Sequence, residues 1–259
     1  TLKGSGDTYG GLFSKLNAAA VQNLYIEANI SRDDKSGATT CAGALAGEAN
    51  GGVDISRVSV SGRIIVESFD GFDYVGGLVG RFFGGEIVEC CNFAQVSNNA
   101  QHARAGGIAA YVSPKDTAIS ISNCYNKGNV IASSAWTLAF GGRAAAMLAQ
   151  VRGHNAFNLL IENCYNDSNV ELEWLGVSSY GWYGKGGILG DIENNVSDNL
   201  SVVDCWWNSS KCSLSGNADQ YQKNSGKSNM TGTYPNWSTD IWSFSNDSAP
   251  QLVWVLINQ

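Results

Sequence analysis

The sequence is poor in charged residues, proline and histidine. Of the 259 residues, 15% are charged, 3 are Pro and 2 are His, whereas 31 are Gly. Few charges and many glycines are typical of a β-rich protein with many turns. The formal net charge of −7 disfavours a nucleic-acid partner, since phosphate binding needs clustered Lys and Arg. No apolar run approaches the roughly 20 residues that span a bilayer, so we expect no membrane insertion.

The usual motifs of metal and catalytic sites are also missing. A zinc peptidase needs HExxH on a helix, but His102 precedes Ala103 and His154 precedes Asn155. We interpret both histidines as loop residues, and neither fits a Ser/His/Asp arrangement. No CxxC motif or paired His accompanies the 7 Cys, so we predict no metal and no cofactor. The Gly-Gly steps lack the Lys-Ser/Thr and the helix of a phosphate loop.

Six copies of one pattern fill most of the chain. A complete copy has a Gly-Gly step followed by a segment such as Asn-Cys-Tyr-Asn. The steps are Gly10 and Gly11, then pairs beginning at Gly76, Gly106, Gly141 and Gly186, with a degenerate copy at Gly43. One small apolar position recurs after 34, 32, 34, 40 and 41 residues, at Leu24, Val58, Cys90, Cys124, Cys164 and Cys205. Repeats of this length indicate a stacked array.

Each repeat is extended rather than helical. Apolar, largely β-branched residues precede the recurrent position by three and five residues, as Ile121 and Ile119 precede Cys124. This alternation with a period of two indicates strands. Strands at fixed spacing that bury one face against the next copy predict an all-β parallel β-helix, or solenoid, of about six coils. A barrel or sandwich is the alternative, but neither requires in-register repetition.

Identical positions of successive coils should stack along the solenoid axis. We expect Cys90, Cys124, Cys164 and Cys205 to form an internal column. Asn92, Asn126, Asn166 and Asn208 should form an Asn ladder at a turn. Stacked Cα atoms about 4.8 Å apart, with side chains pointing the same way, give poor disulfide geometry. We therefore predict buried, reduced thiols, whereas a Cys205–Cys212 disulfide is left open.

The repeat stops after Cys205, and the remaining residues are polar and Trp-rich. A solenoid end must cover its core and its unpaired strand edges. We therefore divide the chain into β-helix repeats over 1–208 and a C-terminal cap of the same domain over 209–259, with a final strand over 252–257. A separate small domain is less favoured, because so short a segment buries little core.

A binding surface is expected at the fifth repeat, where 151–157 is interpreted as an insertion and 174–183 is longer than its counterparts. Insertions project from a solenoid and often carry its recognition surface. Tyr180, Trp182 and Tyr183, with His154, are the predicted binding residues. Aromatic rings on a β-scaffold suit stacking on sugars or packing against a protein. The alternative is that these rings merely cover the edge of the coil.

Acidic residues give no clear catalytic pair. Glycosidases need two carboxylates about 5–9.5 Å apart, and Asp33 and Asp34 are the only acidic residues adjacent in the sequence. Further carboxylates, some of which could be Ca²⁺ ligands, are Asp70, Asp73, Asp167, Asp191 and Glu193. No spacing singles out any of them. A polysaccharide lyase or glycosidase is therefore the rival to a non-enzymatic function.

The glycine step followed by Asn-Cys-Tyr-Asn-x-Gly-x-Val resembles the GLUG repeat over residues 10–208. That repeat occurs in bacterial surface and secreted proteins, including regions beside IgA-cleaving metallopeptidase domains and adhesins similar to filamentous haemagglutinin. The segments around Trp242 and Phe244 and from Pro250 to Trp254 resemble the ending of such proteins. The resemblance implies a right-handed β-helix at the bacterial surface and no activity for the repeats.

These observations lead to three hypotheses. The first is a non-enzymatic, adhesin-like binding module that is secreted or displayed on a bacterial surface. As no signal peptide is visible and the sequence begins inside a repeat, we interpret it as a mature or trimmed fragment. Its partner would be a host glycan or a surface protein, and we expect a monomer. The second is a carbohydrate-active β-helix enzyme, and the third is a structural spacer for another domain.

Overall fold

The chain folds as a parallel β-helix. A computed structural model describes residues 8–34, 38–68, 71–114, 117–134, 140–153, 158–174, 182–193, 199–216, 222, 226–232 and 234–257. The first three coils consist of β1 (Thr8–Gly10), β2 (Phe13–Asn17), β3 (Ala20–Asp34), β4 (Thr40–Gly43), β5 (Ala46–Asn50), β6 (Val53–Ser68), β7 (Phe72–Gly76), β8 (Val79–Phe82), β9 (Gly85–Val88), β10 (Cys91–Asn92) and β11 (Gln95–Asn99).

The next two coils repeat the arrangement of the third, and the described part of the sixth contains the first four of its five strands. These three coils consist of β12 (His102–Gly106), β13 (Ala109–Val112), β14 (Ile119–Ser122), β15 (Tyr125–Asn126), β16 (Val130–Ser134), β17 (Phe140–Ala145), β18 (Leu148–Arg152), β19 (Leu159–Glu162), β20 (Tyr165–Asn166), β21 (Val170–Trp174), β22 (Trp182–Gly186), β23 (Leu189–Glu193), β24 (Leu200–Val203) and β25 (Trp206–Asn208). The C-terminal part contains β26 (Gly226–Lys227), β27 (Trp242–Ser243), β28 (Gln251–Leu252) and the short helix α1 (Val253–Ile257).

Three parallel sheets form the walls of the solenoid. Sheet A has the order β1-β4-β7-β12-β17-β22, and sheet B has the order β2-β5-β8-β13-β18-β23. Sheet C contains the remaining strands up to β26, and it bends where the short strands β10, β15, β20 and β25 stack. The predicted alternation is confirmed, because Ile55, Ile87, Ile121 and Ile161 are stacked in register and fully buried. Apolar residues of all three sheets meet in one continuous core.

The predicted thiol column exists and also makes hydrogen bonds. Its four cysteines are buried, and none of the chain's seven cysteines, all of which the structure describes, forms a disulfide. The residue before each column position, such as Asn123, is left-handed, with φ between 48° and 58° in all six coils. The N–H of Cys90 donates to Cys124 Sγ at 3.4 Å, and the N–H of Cys124 donates to Cys164 Sγ at 3.4 Å. Sulfur therefore accepts a hydrogen bond from the coil before it.

The Asn ladder forms for three of its four predicted members. Asn92 Nδ2 donates to Asn126 Oδ1 at 2.8 Å, and Asn126 Nδ2 donates to Asn166 Oδ1 at 3.3 Å. The prediction was wrong for Asn208, since Trp207 occupies the next position in register. The indole of Trp207 fills the space beside Gly187, where a Cβ would lie 2.3 Å from it. A large ring thus closes the last coil where an amide would leave a gap.

The corner between sheets A and B in coil five differs from the prediction. Register places Ala145 opposite Gly106, so the corner begins there and not at Gly141. The predicted insertion over 151–157 was wrong at its start, because Val151 is a core residue of β18, and 154–157 lie outside the described residues. The mistaken alignment arose because a Gly-Gly pair precedes the true corner by only a few residues.

The C-terminal part covers both the end and one flank of the solenoid. Gln222 accepts the N–H groups of Ile188 and Leu189 at 2.7 and 3.1 Å, where a seventh coil would otherwise pair. Residues 234–257 then run back along sheet C, so that Trp254 Nε1 donates to the carbonyl of Glu89 in coil three at 2.9 Å. The predicted final strand over 252–257 was wrong, since α1 occupies most of it. The division at residue 208 stays a prediction.

Candidate functional site

Two columns of polar and aromatic side chains face each other where sheet A turns into sheet B. Strand register aligns Tyr9, Cys41, Tyr74, Arg104 and Arg143 on sheet A. It aligns Lys15, Glu48, Arg81, Tyr111, Gln150 and Asp191 on sheet B. The strands approach closely, since a Cβ on Gly47 would lie 2.8 Å from the Cβ of Tyr9. We call the surface formed by these two columns the polar corner.

Arg81 organises the first half of the polar corner. Its Nη2 donates to the carboxylate of Glu48 and, at 3.1 Å, to the hydroxyl of Tyr9. Its guanidinium carbon lies 5.6 Å from the ring centre of Tyr74 and 5.6 Å from that of Phe83. These are cation–π distances. The charge of Arg81 is therefore held among three aromatic rings and one carboxylate.

Arg104 is the next cation along the polar corner, and it is only 5% exposed. Its Nε donates to Gln150 Oε1 and its Nη1 donates to the carbonyl of His102 at 2.9 Å. Its guanidinium carbon lies 4.9 Å from the Tyr74 ring centre and 5.4 Å from that of Phe72. Among the described residues, no carboxylate lies within ion-pair distance of Arg104. The groups that Arg104 contacts directly are thus neutral, whereas the charges of Arg143 and Glu193 act on it from beyond ion-pair distance.

The far half of the polar corner is instead balanced. Arg143 donates to the carboxylate of Asp191, and its Nη2 donates to Glu193 Oε1 at 3.2 Å. Glu193 also accepts a hydrogen bond from Gln150 and lies 3.7 Å from Arg152. Two carboxylates therefore match two guanidinium groups here.

The two halves of the polar corner differ in their balance of positive and negative charge. Lys15 Nζ lies 3.2 Å from Glu48 Oε1, so this one carboxylate serves both Lys15 and Arg81. Burial raises the pKa of Glu48, but hydrogen bonds from Asn50 and the charges of Arg81 and Lys15 outweigh it, and the pKa lies below its ordinary value. Burial lowers the pKa of Arg104, although an arginine stays charged at neutral pH. The first half therefore carries excess positive charge on an acidic chain.

Aromatic rings form the solvent-facing rim beside these guanidinium groups. The ring of Phe72 is 44% exposed, whereas Tyr74, Phe83 and Tyr111 are half-buried. The Tyr111 ring centre lies 5.1 Å from that of Tyr74 and 6.0 Å from that of Phe83, both in edge-to-face geometry. Apolar ring faces next to convergent polar groups are typical of ligand-binding surfaces.

The residues predicted to bind from sequence are not brought into the described part of this surface. His154 and Tyr180 lie outside the described residues. Trp182 and Tyr183 begin β22 at the far end of sheet A, but their side chains also lie outside the described part. Their role stays a prediction. His102 was predicted to be in a loop, which was wrong, because it lies in β12 and stacks on Phe72 with ring centres 4.0 Å apart.

Sequence reasoning missed the polar corner, although the repeats contain a signal for it. Tyr74, Arg104 and Arg143 each stand two residues before the first corner residue of their coil. Glu48, Arg81, Tyr111, Gln150 and Asp191 each stand five residues after it. Aligning the outward positions as carefully as the inward ones would have shown two polar columns. Their mutual contact depends on the sharp turn between the sheets, which alternation alone does not specify.

The remaining candidate carboxylates have structural partners where the structure describes them. Asp73 is buried and accepts the Thr40 N–H at 2.8 Å, and Asp167 lies 2.9 Å from Lys211 Nζ. Asp33 lies at the end of β3, while Asp70 and the side chain of Asp34 lie outside the described residues. Within the described ranges, no group of three or more His, Cys, Asp or Glu could hold a metal ion.

A second depression lies between the C-terminal part and the turns of sheet C. It has a volume of about 380 Å³, and its lining includes Lys127, Asp167, Lys211 and Asp247. Two lysines face two aspartates there, and burial lowers the pKa of Lys127. Among the described residues that line the depression, none is aromatic, so the polar corner is the stronger candidate.

Of three comparisons with known proteins, one finds a match, to a solved structure. No family model matches the chain, and no curated protein matches it, so the GLUG resemblance stays a prediction. In the described part of the chain, no helix is long and apolar enough to cross a membrane. A solved structure described as a "putative immunoglobulin A1 protease from Bacteroides ovatus" is similar, with 17% identity and a TM-score of 0.47, over 93% of this chain and 76% of that one.

Proposed function

We propose that the chain is a non-enzymatic binding module of a secreted or surface-displayed bacterial protein, and that the polar corner binds a glycan. The observation that carries this proposal is the contiguous cluster of Phe72, Tyr74, Phe83 and Tyr111 beside two guanidinium groups. Rings offer flat faces to sugars, and arginines donate hydrogen bonds to sugar oxygens. Strands of a continuous solenoid hold these groups more rigidly than loops would.

The pairing of the carboxylates supports binding over glycoside hydrolysis. A glycosidase needs a general acid whose pKa is raised. In the polar corner, Glu48 has a lowered pKa and contacts Arg81 and Lys15. Asp191 and Glu193 are engaged by Arg143. Each described carboxylate of this surface is thus paired with a cation, which favours a positioning role.

The proposal is tested by screening the purified chain on a glycan array and measuring affinities for the hits by calorimetry. A Tyr74→Ala, Tyr111→Ala variant should bind at least about tenfold more weakly, the loss expected for central aromatic contacts. Phe93→Ala is the matched control, because this residue is 37% exposed but lies in the turn between β10 and β11, away from the polar corner. Circular dichroism and thermal melting establish that each variant is folded.

One outcome would contradict the location of the site, and another would contradict glycan binding itself. Undiminished glycan affinity of the folded Tyr74→Ala, Tyr111→Ala variant would exclude the polar corner. A Trp182→Ala, Tyr183→Ala variant measured in parallel would then show whether the aromatic cluster predicted from sequence is the site instead. Failure of the parent chain to bind any glycan would favour a surface-protein partner or the spacer hypothesis.

A further inference from the structure

We infer that the polar corner recognises the carboxylate of an acidic sugar, which it binds through Arg81 and Arg104, both of which are next to the Tyr74 ring. This inference rests on the proposed glycan-binding function and specifies its ligand class. It follows from three features of the described residues: an excess of positive charge, guanidinium nitrogens without acceptors, and aromatic rings next to both.

The first feature is the local charge balance. Lys15, Arg81 and Arg104 contribute three positive charges, and Glu48 is the carboxylate that pairs with two of them. The whole chain has a formal charge of −7, so this excess is not a general property of its surface. A buried cation without a matching anion is costly in a low-dielectric environment. A bound anion would reduce that cost at Arg104, on which Glu193 acts only from beyond ion-pair distance.

The second feature is the set of donors that remain open. Arg81 uses Nη2 for Tyr9 and Glu48, while its Nε is buried and has no acceptor among the described residues. Arg104 uses Nε and Nη1 for Gln150 and the carbonyl of His102. Within the described part, Nη1 of Arg81 and Nη2 of Arg104 therefore have no hydrogen-bond partner. Arg81, whose side chain is 19% exposed, offers the contact nearest to solvent.

The third feature determines the chemical class of the ligand. Guanidinium groups donate strong, charge-assisted hydrogen bonds to carboxylates, and Arg81 Nη1 and Arg104 Nη2 can each supply one donor to the same ligand. Tyr74 is next to both arginines, with its ring centre 5.6 Å from the Arg81 guanidinium carbon and 4.9 Å from that of Arg104. Tyr111 and the exposed Phe72 extend this ring surface. A sugar ring bearing a carboxylate would satisfy both parts, as in uronic or sialic acids.

The experiment compares three ligands on the unaltered chain by calorimetry. The probes are a galacturonic acid oligomer, the same oligomer with its carboxyl groups methyl-esterified, and a sulfated galactose oligomer without carboxylates. We expect the acid to bind about tenfold to a hundredfold more tightly than its ester, the range for a charge-assisted contact. Raising the salt concentration should weaken binding of the acid and leave that of the ester unchanged.

Variants then assign the effect to the two arginines. Arg104→Gln and Arg81→Gln should each abolish most of the preference for acid over ester. Arg104→Lys keeps the charge but loses the planar fork, so it should retain part of the preference. Arg63→Gln is the matched control, because this arginine contacts Asn29 on sheet C. Sialyl-lactose and lactose form a second acid and neutral pair that extends the comparison beyond uronic acids.

The possible results separate this inference from the proposed function. Equal affinity for acid and ester, with sensitivity to Tyr74→Ala, would refute the anionic site and keep glycan binding. Preference for the sulfated oligomer over the acid would refute a carboxylate ligand. Binding of neither uronic nor sialic acids would also overturn the inference, even if a neutral glycan binds. Because the ligand comparison uses the native chain, a variant that fails to fold leaves this test intact.

Discussion

Replacing Trp242 with alanine tests whether the C-terminal part is integral to the β-helix. Trp242 is 1% exposed, and its ring centre lies 6.0 Å from that of Tyr125 and 5.8 Å from that of Tyr165. Its indole N–H donates to Asn123 Oδ1 at 3.2 Å. These contacts attach β27 to coils four and five. Their loss should therefore reduce the stability of the chain.

The expected magnitude follows from the complete burial of the indole. Truncating a buried Trp to Ala costs about 3–5 kcal/mol. In a chain of this size, each kcal/mol lowers the melting temperature by about 2–4 °C. We therefore expect a decrease of about 6–20 °C. Coils of a solenoid interact mainly with their neighbours, so the C-terminal part could also detach before the coils unfold.

Thermal and urea unfolding followed by circular dichroism measure the change in stability, and limited proteolysis detects detachment. Leu256→Ala is the control, because Leu256 is 42% exposed in α1 and should cost less than about 1 kcal/mol. Trp242→Ala should also become sensitive to cleavage within residues 234–257. The reasoning is refuted if Trp242→Ala melts and resists protease like Leu256→Ala.

Four further predictions concern other parts of the fold. Ending the chain at Asn246 removes the cover of Tyr165, whose hydroxyl donates to the carbonyl of Pro250, and should lower the melting temperature and solubility. Cys124→Ala should lower the free energy of unfolding by about 2–3 kcal/mol, because it removes apolar surface and the acceptor of a buried N–H. Cys124→Asp should lower it further, and urea unfolding measures both changes. Thiol titration without reductant should find seven reactive thiols after denaturation and few before it, since all seven cysteines are buried and burial raises the pKa of Cys90, Cys124 and Cys164 well above its usual value. The pKa of Glu48 is lowered in the folded chain. The ionised Glu48 side chain therefore stabilises the folded state above its unfolded pKa, and this stabilisation is lost as the pH falls through the folded pKa. Glu48→Gln should thus have a lower melting temperature than the parent at neutral pH and the same melting temperature in acid.

Each of these predictions has an outcome that contradicts it. A chain ending at Asn246 that is as soluble and stable as the parent would show that α1 and β28 contribute little. A Cys124→Ala cost below about 1 kcal/mol would show that the sulfur contributes only apolar surface. Absence of reactive thiols from the column after denaturation would indicate disulfides. A constant difference between Glu48→Gln and the parent across the acid range would show that charge is not the cause.

Much of the fold could be predicted because the repeats fix the strand register. The spacing of Val58, Cys90 and Cys124 correctly identifies residues that stack on one another, and the flanking alternation identifies the inward faces. Coil five was misaligned because the Gly141 pair imitates a corner. The apolar Met147, which occupies the position of Ile108 after the true corner, was the available signal. Glycine pairs alone are thus a weaker guide than the complete pattern.

The path of the C-terminal part could not be predicted from the repeat. Its Trp and Leu residues indicate burial, but they do not specify which surface they cover. The outward column of Cys91, Tyr125 and Tyr165 is the missing complement, since these buried residues pack against Trp242 and Leu252. Outward positions of a strand are ordinarily solvated, and an aromatic column there indicates a packing partner. The polar corner was missed for the same reason.

The composition of the polar corner argues that its arginines have a function beyond stability. Cys41 occupies the same column as Arg104 and Arg143, in an earlier coil, and is completely buried. A small uncharged residue therefore fits this position of the fold. A buried cation without an ion-pair partner costs stability, so stability alone gives no reason to place Arg104 there. An incoming anion supplies that reason, and Arg104→Met makes the argument testable. The melting temperature of this variant should equal or exceed that of the parent chain, while its preference for the acidic over the esterified sugar should be lost. A variant that loses stability and keeps the preference would show that Arg104 serves the fold.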